Sequence, residues 1–550
     1  MKWNIRKSGS WFNLNKINFK SLQMKRAYIF CLLTFFITKQ IFAQTPYPII
    51  PLPVQSIQQE GQFLLNNRTG ICAEDKNFKP LVKFFNSELK KYIGFTLVKR
   101  KKNKLNTIIL RQVYTQLANP EAYSLIIEKD RIVISANCER GIFYGIMSLM
   151  QLVREAPVKK HRVSINCGEV YDKPKNTWRG LMLDESRHFF GKKAVEKLLD
   201  WMAFYKLNTF HWHLTDGSAW RLQILQYPNL TSIGAIGNKF DSTAPAKFYT
   251  QKDIQEVVAY AKARFITVIP EIDMPGHATA SNRAYPEFSG GGEGKFANFT
   301  FNPGKEGTYR YLTNILRETA TLFPSKMVHI GGDEVSFGSG SWGKDTLVQS
   351  LMKRENLSNL KMVETYFIQR MADSALKFNR KVLAWDEVAD DSLAKDSTII
   401  LWWRQDQSQQ LLKALNKGYK VVLCPRIPLY FDFVQDKSHQ KGRTWNGAFS
   451  SLEEVYKFSP MNYVKNKTQL LQVLGMQANL WTETVITEKR LDFMLFPRIA
   501  ALAEAAWSEP STKKYQDFLL RLQKQFPLYK QAAIYFYNPL NPSETPEVVQ

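Results

Sequence analysis

His329-Ile330-Gly331-Gly332-Asp333-Glu334-Val335 decides how this 550-residue chain is read. Met327-Val328-His329-Ile330 is a short apolar strand, and two glycines then carry the backbone to two adjacent carboxylates. Neighbouring side chains on a strand point to opposite faces. An Asp-Glu pair inside a sheet would therefore bury one unpaired charge, which costs several kcal/mol. The pair is at home where a strand ends and both acids can turn toward one ligand. There, crowding and desolvation keep one carboxylate protonated while the other stays ionised, which suits acid–base chemistry.

Outward from this point, the chain from Trp178 onward repeats strand, polar turn and helix. The predicted strands are 179–184, 208–214, 266–272, 327–330, 381–385, 399–403, 420–423 and 472–480. Amphipathic helical stretches separate most of them, at 192–205, 252–265, 308–323, 362–378 and 408–416, and 490–507 closes the series. Eight such units indicate a (β/α)8 barrel. An open doubly wound sheet is the alternative, but no Gly-rich phosphate-binding turn follows any strand. Upstream, helical spacing at 81–92 and strands at 106–110, 123–127 and 131–135 mark a smaller α/β accessory domain, completed by a helix over 141–153. The expected division is 1–44 as an export segment, 45–172 as the accessory domain, 173–509 as the catalytic barrel and 510–550 as a C-terminal helical tail.

The formal charge is +26, but residues 1–44 hold six Lys, two Arg and no acid, so the remainder carries 26 − 8 = +18. No basic run interleaved with aromatics marks a nucleic-acid face. The apolar stretch 27–42 follows Met24-Lys25-Arg26 and ends near Ala43, the pattern of a secretory signal peptide with Met24 as a candidate start. It is short and broken by Lys39-Gln40, so no stable membrane span is expected and the product is periplasmic or extracellular. Cys72, Cys138, Cys167 and Cys424 lack metal-type spacing; buried thiols, or one disulfide in the first domain, fit an exported chain.

A barrel places its chemistry at the C-terminal strand ends. Those ends carry Asp184 and Arg187-His188, then His211-Trp212-His213 with Asp216, then Glu271, Asp273 and His277, then Asp333-Glu334. Further on come Trp385-Asp386-Glu387, Trp402-Trp403-Arg404, Tyr430-Phe431-Asp432 and Trp481-Thr482-Glu483. Acids beside tryptophans suit a sugar, which has apolar C–H faces and a rim of hydroxyls. His211-x-His213 could hold a metal, but the acid and Trp content exceeds that task. Both are read as hydrogen-bonded partners of the acids, with no metal and no cofactor expected.

Trp178-Arg179-Gly180, Asp184 to His188, His211 to Asp216, Pro270 to His277, His329 to Glu334 and Leu480 to Glu483 together resemble glycoside hydrolase family 20, the β-N-acetylhexosaminidases. The preceding domain is similar to that family's accessory domain at Gly141 to Gly145 and Gln151-Leu152. The resemblance implies an exo-acting, retaining enzyme that removes terminal β-linked N-acetylglucosamine or N-acetylgalactosamine from glycans, with the substrate's 2-acetamido oxygen as nucleophile. It implies Glu334 as general acid and base with its pKa raised toward neutrality, Asp333 as the ionised partner of the acetamido N–H, and Asp216 with His277 as a relay to Glu334. Arg179 and Glu483 would bind sugar hydroxyls, Tyr430 and Asp432 the acetamido group and ring substituents, and Trp385, Trp403 and Trp481 would wall the pocket. Where many relatives carry a second Asp after Asp216, this chain has Gly217-Ser218. A non-catalytic glycan binder would lack the acid or its helper, and the chitinase-type D-x-x-D-x-D-x-E run is absent.

Overall fold

The eight strands from Trp178 on close into one parallel barrel, and a seven-stranded sheet precedes it. The computed structural model describes residues 47–101, 104–113 and 119–549. The export segment lies outside them. Among the described residues no helix is long and apolar enough to cross a membrane.

The first sheet holds β1 (Gln55–Asn66), β2 (Gly70–Ala73), β3 (Val98–Lys99), β4 (Thr107–Gln112), β5 (Tyr123–Ile127), β6 (Arg131–Ala136) and β7 (Arg162–Asp172). Their spatial order is β1-β7-β5-β6-β4-β2-β3. β5 and β6 form the expected antiparallel hairpin. β1 and β7, an antiparallel pair, are not among the expected strands, although β7 alternates exposed and buried residues along most of its length. Most of β1 is polar and only partly buried, with Phe63 and Leu65 alone fully inside, so an alternating pattern barely develops. Helix Lys79–Ile93 starts with Pro80 in its first turn and stops at Gly94, whose φ of 78° permits the left-handed end. Helix Glu139–Glu155 lies between this sheet and the barrel: Phe143 packs on Phe84 at 5.3 Å and on Phe265 at 5.1 Å.

The barrel strands are β8 (Trp178–Asp184), β9 (Thr209–His213), β10 (Thr267–Met274), β11 (Met327–Gly331), β12 (Lys381–Trp385), β13 (Thr398–Trp402), β14 (Lys420–Leu423) and β15 (Val473–Leu480), and β15 pairs with β8 to close the ring. The fold is thus a (β/α)8 barrel preceded by a smaller α/β domain. The helix expected over 490–507 is two, Glu488–Leu495 and Arg498–Trp507, because Pro497 has no N–H to continue the first. The C-terminal tail is helical only at Tyr515–Gln523 and Phe526–Gln531. Beyond these, Pro539, Pro542 and Pro546 remove donors, and a single 3-10 turn remains. No disulfide joins Cys72, Cys138, Cys167 and Cys424.

The accessory domain is not a separate unit, since residues 47–550 cluster as one. The tie at the barrel floor corrects the expectation for Arg179. Arg179 is the second residue of β8, so it lies at the end opposite the site and is fully buried. Its Nη1 and Nη2 donate to Glu121 at 2.8 and 3.1 Å, Nη2 also to the Tyr144 hydroxyl at 3.0 Å, Nη1 to the Asn176 carbonyl at 2.9 Å and Nε to the Lys206 carbonyl at 2.9 Å. A guanidinium has five N–H groups, and all five are used. None is left for a sugar. Burial works to raise the Glu121 carboxyl, but Arg179 holds it below its usual value. Its stabilising effect is therefore present at neutral pH and is lost as acid protonates it below that depressed value. Glu121→Gln should lower unfolding free energy at pH 7 by about 2 kcal/mol, seen as a lower denaturant midpoint. kcat/KM at a permissive temperature should stay within about twofold, because five residues of strand, about 16 Å, separate Arg179 from the mouth.

Candidate active site

The two glycines after β11 are dictated by space. A Cβ on Gly331 would fall 1.7 Å from Asp273 Oδ1, and one on Gly332 would fall 2.5 Å from Val388 Cγ2. With φ of 72° and 91° they turn the chain so that Asp333 and Glu334 both face the barrel mouth. Glu334 and His277 themselves sit at φ of 49° and 54°, strained values for residues with side chains that tertiary packing must enforce.

Beneath them lies a buried polar core built on Glu271. Its Oε2 is 3.0 Å from His211 Nε2 and 2.5 Å from His213 Nδ1, while its Oε1 is 2.9 Å from His329 Nδ1 and accepts from Trp385 Nε1 at 2.9 Å. Burial opposes the charge on Glu271, but the surrounding histidines keep it ionised, well below the usual range. His213 is pushed well above its ordinary value, against burial, by Glu271 and Asp216, whereas burial takes His211 down to about 4. Three clusters bring metal-ligand types together: His211, Glu271 and His329; His213, Asp216 and Asp273; and Asp273, His277 and Asp333. In the first, both Glu271 oxygens already serve the imidazoles and the Trp385 indole.

Above this core runs a connected line of charges. Asp216 Oδ2 is 3.1 Å from His213 Nε2, 3.2 Å from His277 Nδ1 and 2.6 Å from Arg187 Nη2. His277 Nε2 in turn is 3.3 Å from Asp333 Oδ2 and 3.6 Å from Glu334 Oε2. Burial would raise Asp216, but Arg187 and His277 hold it far down; burial would lower His277, but Asp216 and Asp333 hold it far up. Gly217 N–H closes the shell of Asp216, so that carboxylate is fully partnered without a second acid beside it.

Glu334 departs from expectation. Its side chain is 58% exposed, and the His277 imidazole 3.6 Å away holds its pKa below the usual glutamate value rather than raised. Asp333 is 11% exposed by side chain; its Oδ2 faces His277, and its Oδ1 has no partner among the described residues.

The apolar wall follows from β12, β13, β14 and β15. Trp385 and Trp481 have ring centres 6.0 Å apart, Trp481 lies 6.2 Å from Tyr430, and Tyr430 stacks on Trp403 at 10° and 6.2 Å. Across from the acids, Arg443 Nη2 is 2.5 Å from Glu483 Oε1 and its Nε is 3.3 Å from Asp432 Oδ2. Burial pushes Asp432 up to about 7 despite Arg443. Asp333, Glu334, Asp216, His277, Trp385, Trp403, Tyr430, Asp432, Trp481 and Glu483 thus gather at one mouth.

Two residues in this site stand among the predicted strand ends but were given no role from the sequence. Arg187 takes the place assigned to Arg179: it is three residues past the end of β8, its loop held by Asp184 Oδ1 on the Ser186 and Arg187 amides, and its guanidinium lies 4.9 Å over the Trp481 ring. The other is Asp273, buried with neither oxygen partnered among the described residues. Burial and the nearby Asp333 push it well above the usual carboxylate range, against the pull of His277.

The family model for glycosyl hydrolase family 20, catalytic domain, matches residues 176–510, and that for its domain 2 matches residues 46–173. The chain belongs to glycosyl hydrolase family 20. It is 32% identical over 535 residues to a beta-hexosaminidase of Porphyromonas gingivalis (94% of this chain, 68% of that one). It is 36% identical over 406 residues to a beta-hexosaminidase of Vibrio furnissii (70% and 64%). It therefore spans about two thirds of either relative. The family's exo beta-N-acetylglucosaminidase from Vibrio harveyi, solved in complex with N-acetylglucosamine, superposes with a TM-score of 0.83 at 30% identity (91% of this chain, 80% of that one). The beta-N-acetylhexosaminidase of Bacteroides fragilis does so at 0.78 and 29% (89% and 96%). This family-20 chain is a glycoside hydrolase of the β-N-acetylhexosaminidase type.

Proposed function

We propose that the enzyme removes single β-linked N-acetylhexosamine residues from non-reducing ends by substrate-assisted catalysis with retention. The observation that carries this is Asp333. A buried carboxylate with one oxygen on an imidazolium and the other unengaged is a fixed anionic acceptor, suited to an amide N–H whose carbonyl oxygen is becoming a nucleophile. Glu334, half in solvent beside it, faces where a leaving group departs. At neutral pH the Glu334–His277 pair holds one proton, and it rests on His277. A bound sugar would displace water from Glu334, disfavour its charge and draw that proton toward the glycosidic oxygen.

Trp385, Trp403, Tyr430 and Trp481 would receive the apolar sugar face, and Asp432 and Glu483, each with unpartnered oxygens, would accept hydroxyl protons. Arg187, rather than Arg179, would donate to the sugar. Export through the 27–42 segment belongs to the same proposal and rests on the sequence. Proton NMR of a chitooligosaccharide digest tests the whole: monosaccharide should be released stepwise, first as the β-anomer. A first-formed α-anomer would defeat retention, and disaccharide release would defeat the exo assignment.

A further inference from the structure

The wall opposite the catalytic acids is held from behind. Arg443, whose side chain joins Asp432 and Glu483, lies on a loop that folds back on itself: its N–H donates to the Asp432 carbonyl at 3.0 Å and its carbonyl accepts from Val434 N–H at 3.1 Å. Two residues on, Trp445 lies beneath the Arg426 guanidinium at 3.4 Å, and that guanidinium is also 4.6 Å over Trp403. The back of the loop is gripped by the C-terminal segment, outside the span matched by the catalytic-domain model. Glu547 accepts from the backbone N–H groups of Gln440 at 2.6 Å and Lys441 at 2.9 Å. Arg490, 1% exposed, is 3.1 Å from Glu547, donates to the Val548 carbonyl at 2.8 Å and bonds the Lys441 carbonyl.

We propose that Glu547 is a positioning residue for Arg443, and that Arg443 so placed sets the affinity of the pocket for the sugar's hydroxyl edge. The inference rests on Asp432 and Glu483 being the hydroxyl acceptors. Two carboxylates in one buried wall repel, and a cation between them offsets that repulsion. Asp432 is faced by Arg443 from its own loop, by Glu483 beyond β15, by Tyr430 and by Arg498 of helix Arg498–Trp507, whose guanidinium bonds the Phe431 and Phe433 carbonyls. With burial already bringing Asp432 to about 7, a displaced Arg443 would leave it protonated at neutral pH, a donor where an acceptor is needed.

The test uses the full chain with an aryl β-N-acetylglucosaminide, comparing wild type, Glu547→Ala, Arg443→Ala and the double variant. Each single change should raise KM at pH 7 about tenfold with kcat within about threefold. The double variant should be no worse than Arg443→Ala, and the KM defect should shrink at pH 9 as Asp432 ionises. Hydrogen exchange of amides 440–446 should quicken in Glu547→Ala. Additive losses in the double variant, an unchanged KM despite faster exchange, or unchanged exchange would each overturn the proposal. Failure of the wild type on that glycoside would instead defeat the functional reading, while exchange would still decide the clamp.

Discussion

Asp333→Asn should lower kcat on an aryl β-N-acetylglucosaminide by about 30- to 1000-fold, some 2–4 kcal/mol of barrier, with KM changed far less. The carboxamide keeps the volume of the carboxylate and can still face His277 Nε2, 3.3 Å away in the native protein, so the pocket keeps its shape. It removes the negative charge that matters most when the acetamido group turns cationic. The companion measurement uses an aryl β-glucoside, with the same leaving group and no acetamido nitrogen. It should be essentially inert with the wild type. Ready turnover of that glucoside, or a sugar covalently attached to Asp333, would mean an enzyme nucleophile.

Glu334→Gln should separate substrates by their leaving groups. Alkyl or sugar aglycones depart only when protonated, and on these kcat should fall by about 100-fold or more. Activated aryl groups depart with little help, so their loss should be far smaller. The pH profile carries the same signature. Because the shared proton rests on His277, whose pKa is raised well above its ordinary value, activity on poor leaving groups should fall as alkali strips it, while activated substrates tolerate the same range better. Equal losses on both substrate classes would take the acid role from Glu334.

The barrel was legible because each strand from Trp178 on is short, apolar and followed by polar residues, and the site because barrel chemistry collects where strands end. That same rule excludes Arg179, which begins a strand, and favours Arg187, which follows one. Motif membership put the wrong arginine in the pocket, and counting along β8 puts the right one there. Asp273 stood among the strand-end acids, but its character did not show. Its raised pKa comes first from burial and then from Asp333, a neighbour brought close by the pairing of β10 with β11, and nothing in local spacing announces either. β1 escaped notice because a mostly polar strand at a sheet edge has no strong period to detect, whereas β7, with Val163, Ile165, Cys167 and Val170 buried among exposed neighbours, carried an alternation that could have been read. The lowered pKa of Glu334 likewise depends on an imidazolium delivered from another strand.

The floor of the barrel carries a lesson about modularity. Arg179 is completed by Glu121, and Lys206 Nζ reaches Asp172 at 2.9 Å and the Tyr123 hydroxyl at 2.9 Å, with both Lys206 and Asp172 fully buried. Asp172 also accepts from the Trp507 indole at 2.8 Å, near the far end of the barrel sequence. A protein engineer who excised the barrel at its sequence boundary would strip two cations of their counter-ions and open to water the floor in which they are now buried. What looks in sequence like a detachable neighbour is, in charge terms, the missing half of the enzyme's own foundation.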